Sequence, residues 1–205
     1  MKQMNVNQLK SQYIEGIYQS NALLIKENAF TLQSGKRSHV YLDHRNFLAN
    51  HVYLQLIAKL YHELSVVAGM NCTLGVVDSV MSPIIVGAMS VMFNHNYVVI
   101  KKSPLAHGTQ QFVYGEITNN ILLVDDMTST GDTLIDAAKK IRSLGGSVDH
   151  AVISAYRDKS AIENLARHHI KTISIASFDE IIDELRPVIN IRERKIIESN
   201  SLIFD

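Results

Sequence analysis

Ile121-Leu-Leu-Val-Asp125-Asp126-Met-Thr-Ser129-Thr130-Gly131-Asp132-Thr133 is the stretch on which the fold turns. Its apolar opening reads as a strand covered on both faces, because a strand with one wet face alternates in polarity. The run ends at two carboxylates, passes a turn of hydroxyls around Gly131, and enters a helical stretch at 133–144 that Gly145 and Gly146 stop. A turn that opens a helix aims unsatisfied N–H groups at one point and adds the positive end of the helix dipole, so it holds a phosphate dianion without many lysines. Ser129, Thr130 and Thr133 add hydroxyl donors, and Gly131 lacks the Cβ that would block close approach. Two acids beside a phosphate repel it unless hydroxyl donors or a metal ion intervene. A phosphorylated sugar brings such hydroxyls. Taken alone, the Asp125–Asp126 pair reads equally well as a helix cap with one solvated acid.

The same alternation continues on both sides. Further strands are predicted at 73–77, 97–101, 151–155 and 172–175, and helices at 52–64, 83–93, 160–168 and 178–185. In the first helix Val52, Leu56, Ile57, Leu60 and Leu64 recur at helical spacing. Strand and helix in turn predict an α/β fold with a central parallel sheet joined by right-handed crossovers, and place ligands beyond the carboxyl ends of the strands. Residues 30–45 read as a small hood or edge hairpin around Ser34–Gly35, and the polar stretch 103–115, with Pro104, Gly108 and Gly115, as an excursion of the chain.

The totals fit one domain. Of 205 residues 46% are hydrophobic and 20% charged, and 20 basic side chains balance 20 acidic ones, so no overall field draws the chain to nucleic acid or anionic lipid. A single cysteine, Cys72, excludes an intrachain disulfide and a cysteine-rich zinc site and suits a reducing compartment. The polar N-terminal stretch does not read as a signal peptide, and no run approaches the roughly 18 apolar residues of a membrane span. A cytoplasmic protein is expected.

The strand–DD–TSTGDT–helix unit resembles the phosphoribosyl pyrophosphate motif of the type I phosphoribosyltransferases, with Thr128 where an aliphatic residue is usual. Three more stretches, in family order from about Lys26 to about Glu180, are similar to the orotate phosphoribosyltransferases. Phe30-Thr-Leu-Gln-Ser34-Gly35, followed by Ser38 and Tyr41, looks like their opening segment, with Lys26 upstream matching a family lysine. Lys101-Lys102-Ser-Pro-Leu105-Ala-His107-Gly108 falls at their basic loop, and Arg157 at their orotate-binding arginine, whose fork suits a carboxylate. The resemblance implies a single type I phosphoribosyltransferase domain over 1–205, with about 1–45 and the C-terminal segment as its hood. It implies displacement at the ribose anomeric carbon of phosphoribosyl pyrophosphate by orotate, in pyrimidine synthesis. Ser129, Thr130, Gly131, Asp132 and Thr133 would hold the 5′-phosphate, Asp125 and Asp126 the ribose, Lys26 and Arg157 the base, and Lys101, Lys102 and His107 the pyrophosphate. Mg2+ carried in by the substrate would screen the acids, and a homodimer is implied.

Two departures stand out. Leu105 occupies the position of the loop lysine that assists the leaving group, and the segment after the first core strand carries Asp78, which repels pyrophosphate. A ligand-binding relative without turnover, and a phosphoribosyltransferase for another base, therefore stay open as alternatives.

Overall fold

The computed structural model describes residues 5–32, 35–66, 72–103 and 112–199. The predicted strands meet in one sheet, where β3 (Thr73–Val77), β4 (Tyr97–Ile100), β6 (Ile121–Thr128), β7 (His150–Tyr156) and β8 (Lys171–Ser177) run parallel. A short antiparallel strand, β5 (Val113–Tyr114), closes one edge, and the order is β5-β4-β3-β6-β7-β8.

Alternate residues of the central strands feed two cores. Leu122 and Val124 of β6 join the larger one with α1 (Val6–Gln19), α3 (His51–Ser65), α4 (Met81–Phe93) and α7 (Phe178–Leu185). Ile121 and Leu123 join the second, built with α5 (Asp132–Ser143) and α6 (Lys159–Arg167). Covered on both faces, the strands have no wet side, which is why they read as unbroken apolar runs. From β3 the chain moves outward to β4 and then returns to β6 on the other side of β3. The crevice between the diverging connections is where ligands bind in open α/β sheets.

Three features differ from the predictions. Strand β6 runs on through the acids to Thr128, because β7 keeps offering ladder partners, Asp125 to Ile153 and Thr128 to Tyr156. Helix α1 was not predicted; Asn5 and Gln8 cap it reciprocally, and Leu9, Tyr13, Ile14 and Ile17 are buried in the larger core. The hairpin begins earlier, with β1 (Leu23–Thr31) antiparallel to β2 (Arg37–Leu42) and a bulge between Ile25 and Phe30. Helix α8 (Ile191–Ser199) packs on β1, and Ile196 joins the same larger core as α1 and the hairpin. Ser34 and the tail beyond residue 199 lie outside the described residues.

Gly75 lets β3 and β6 lie against their shared core. An added Cβ would stand 2.8 Å from Ile121 Cγ2 and 3.0 Å from Leu123 Cδ2. Gly75→Ala is expected to destabilise the fold by about 1–3 kcal/mol in a urea titration, the usual cost of overpacking.

Candidate active site

At the carboxyl end of β6 the chain surrounds a cavity of about 430 Å3. Asp125, Asp126, Ser129, Thr130, Asp132, Thr133 and Arg157 line it. The opposite wall comes from Tyr41 to Arg45, and Val80 and Met81 close a third side.

The turn is shaped from within. Thr128 Oγ1 accepts the N–H of Gly131 at 2.9 Å, and Gly131 holds φ +86, with Leu165 Cγ only 2.9 Å from where a Cβ would stand. On the outside, Asn164 of α6 donates to Thr130 O at 2.9 Å, and the Thr130 hydroxyl donates to Asp132 Oδ2 at 2.8 Å. No side chain caps α5. The Gly131 and Asp132 amides donate to Thr128 Oγ1 and Thr130 Oγ1, at 2.9 and 3.4 Å, so the anion-binding potential of the turn lies with the next amides of α5 and its dipole.

The two acids are held differently. Ser82, fully buried at the start of α4, donates to Asp125 Oδ1 at 2.6 Å, and Tyr61 donates to the Asp125 carbonyl at 2.7 Å. Asp126 faces His44, whose Nδ1 is 3.6 Å from Asp126 Oδ2, and Ser154 donates to the Asp126 carbonyl. Across the cavity, Arg157 Nη1 donates to Ser38 Oγ at 3.0 Å and to Val40 O at 3.1 Å, with the guanidinium 4.0 Å from the Phe178 ring centroid. Among the described residues, the buried Arg157 Nη2 has no acceptor, a costly state for a donor.

Comparison with known proteins gives the same direction. The chain is 33% identical over 166 residues to the orotate phosphoribosyltransferase of Picrophilus torridus, covering 78% of this chain and 95% of that one. It is 31% identical to that of Pyrococcus abyssi, covering 78% of this chain and 88% of the relative. The chain belongs to the orotate phosphoribosyltransferase family. No family model matches it. Among solved structures, the Aeropyrum pernix orotate phosphoribosyltransferase superposes with a TM-score of 0.75 at 22% identity, covering 84% of this chain and 97% of that one. The Leishmania donovani UMP synthase also reaches a TM-score of 0.75, at 20% identity, over 93% of this chain and 41% of its own.

Not every residue expected at the site reaches the cavity. Lys101 and Lys102 line a second hollow of about 260 Å3, together with Lys140, Asp136, Asp132 and Thr133. The first turn of α5 is thus shared between the two. Lys140 Nζ donates to the carbonyls of Lys101 and Lys102, at 2.7 and 2.9 Å. Lys26 stands elsewhere, in a hollow between β1 and α8 with Glu27 and Arg192, and its ammonium is 5.4 Å from the Phe30 ring centroid. It follows the start of the bulge in β1, where the paired register is lost. Leu105 and His107 lie outside the described residues. Asp78 is exposed at the end of β3 and is not part of the cavity wall.

His44, Tyr13, Tyr61, Ser82 and Ser154 were not predicted. Only their joint approach to the acids marks them, and it draws on five separate elements of the chain.

Burial, reinforced by the neighbouring Asp126 charge, pushes Asp125 up to about 7. Burial also works against ionisation of Asp126, but the facing His44 side chain and the backbone amides of Met127 and Asp126 outweigh it and hold that carboxyl below the usual range. Since Asp125 starts from 3.8, the fold favours its neutral form and loses stability as pH rises from that value to about 7. Asp125→Asn keeps the shape and removes the charge. It is expected to raise the melting temperature more at pH 8 than at pH 5, by about 2–4 °C per kcal/mol recovered. An equal shift at both pH values in scanning calorimetry would contradict the assignment.

Proposed function

We propose that the protein transfers the phosphoribosyl group of phosphoribosyl pyrophosphate to orotate, giving orotidine 5′-phosphate and pyrophosphate in pyrimidine nucleotide synthesis. The observation that carries this reading is Arg157. Its side chain lines the same cavity as the acid pair and the phosphate-type turn, and a guanidinium suits the carboxylate that orotate carries. Burial lowers Arg157 to about 10, which leaves it charged at neutral pH.

In the reaction, a ring nitrogen of orotate forms a bond to the anomeric carbon while the bond from that carbon to pyrophosphate breaks, through an oxocarbenium-like transition state. The protein contributes position and electrostatics. Ser129 to Thr133 hold the 5′-phosphate, and Asp125 and Asp126 take the ribose hydroxyls and face the developing positive charge. The hollow lined by Lys101, Lys102 and Lys140 suits the pyrophosphate, with His107 on the same chain segment. Magnesium enters as part of the substrate.

Homodimer formation is part of the proposal. Val80, Ile84 and Val91 form an exposed apolar stripe along α4, at 69%, 40% and 85% exposure. A stripe of this kind suits a second copy of the chain. The cytoplasm is the proposed location, and no helix among the described residues is long and apolar enough to cross a membrane.

A sensor that binds without turnover is favoured by one observation, Leu105 in place of the loop lysine. Loss of orotate absorbance in the presence of phosphoribosyl pyrophosphate and magnesium separates the two, alongside calorimetric binding of each ligand. Arg157→Ala is expected to raise KM for orotate by about tenfold or more, with phosphoribosyl pyrophosphate binding nearly unchanged, as loss of a charge-assisted pair implies. Leu105→Lys is expected to raise kcat by about a hundredfold if the missing cation limits departure of pyrophosphate. An unchanged kcat would place the limit elsewhere.

A further inference from the structure

Behind Asp126 runs a buried chain of polar groups. His44 is the first residue of α2 (His44–Leu48), whose cap is the Asp43 side chain, and it is only 2% exposed. Its Nε2 lies 2.8 Å from the Tyr13 hydroxyl of α1 and 3.2 Å from Ser154 Oγ of β7. The Ser154 proton is already given to the Asp126 carbonyl, so Tyr13 is the donor left to serve Nε2. A neutral imidazole that accepts at Nε2 carries its proton on Nδ1, the nitrogen that faces Asp126. Phe47 fixes the rings from the side, edge-on to Tyr13 at 5.5 Å and to His44 at 6.2 Å. Tyr61 from α3 and both acids of β6 are the remaining titratable groups around this chain.

The backbone at the acids is held independently. Tyr61 donates to the Asp125 carbonyl and Ser154 to the Asp126 carbonyl, so the freedom left to Asp126 is that of its side-chain torsions. Those torsions decide whether the carboxylate faces the cavity. His44 contacts one carboxylate oxygen from behind, with Nδ1 3.6 Å from Oδ2, while Ser82 Oγ lies 3.5 Å from Oδ1. A buried polar ring costs desolvation unless its partners are in place, and an apolar side chain would fill the same space without that cost.

We propose that His44, set in one tautomer by Tyr13, is a positioning residue that holds the Asp126 carboxylate toward the sugar-binding side of the cavity. The inference rests on the transferase reading above. It adds to that reading a residue outside the motif and one from the N-terminal helix.

Two substitutions divide the ring between its nitrogens. In His44→Asn the amide nitrogen lies near the place of Nδ1 and keeps a donor for Asp126; in His44→Gln the amide reaches the place of Nε2, where its oxygen accepts from Tyr13, and leaves Asp126 without a donor. Orotate phosphoribosylation is expected to lose about tenfold or more in kcat for His44→Gln, with KM for phosphoribosyl pyrophosphate within about threefold, the pattern of an interaction made in the transition state. His44→Asn is expected to retain kcat within about threefold of the parent. Equal impairment of the two variants, or none in either, overturns the proposal. If a histidine variant fails to fold, Tyr13→Phe decides: a lowered kcat at an unchanged melting temperature supports it, and the parent's kcat overturns it. Nitrogen-15 NMR of the imidazole gives a readout that needs no turnover. The Nδ1–H tautomer is expected in the parent and a mixture in Tyr13→Phe, whereas Nε2–H in the parent overturns the role. A parent that shows Nδ1–H yet makes no orotidine 5′-phosphate sinks the transferase reading instead.

Discussion

Two carboxylates joined by one peptide bond at the end of a buried strand share a cavity only if their charges are treated unequally. Like charges so close, in a medium less polarisable than water, disfavour double ionisation. The fold resolves this with two environments. Asp125, buried with a serine hydroxyl on one oxygen, is pushed up to about 7, while Asp126 faces an imidazole and is held below the usual carboxylate range. Ser82 from α4, Tyr61 from α3, His44 from α2 and Tyr13 from α1 all converge on this pair. Four helices on one face of the sheet are therefore tied to the electrostatics of one dipeptide.

The opposite face has a simpler task. Helix α5 begins between the two hollows, so its N-terminal turn faces the cavity of the acids and its side faces the lysines. At its far end Arg142 donates to the carbonyls of Val148, His168 and His169. The helix is thus held at both ends, and the position of its dipole relative to the sheet follows from the packing of Leu134, Ala138 and Ile141.

Much of this was legible in the residues. The five parallel strands and their helices appear as apolar runs and 3.6-residue periods because burial on two faces leaves no other pattern, and helix 178–185 ends where predicted. The turn from Ser129 to Thr133 was readable because its chemistry is contiguous. Helix α1 was not, since its polar face dominates the composition and its four buried apolar residues have meaning only against α3 and α7. His44 was illegible for the same kind of reason: a lone histidine after an aspartate carries no signal until Tyr13 and Ser154 arrive from 31 and 110 residues away. Lys26 lies away from the cavity of the acids, since a matching position in the chain does not fix which way a side chain leaves a bulged strand.

Thr128 has an effect on timing. Because its hydroxyl already satisfies the amide of Gly131, the turn keeps its form with no anion present. A loop ordered only by its ligand gives up conformational freedom at the moment of encounter, and one shaped in advance does not, so capture is quicker. The same bond withdraws one donor from the incoming group. Under the proposed reaction, a nucleotide product seated there by its terminal phosphate would be gripped less firmly and leave sooner.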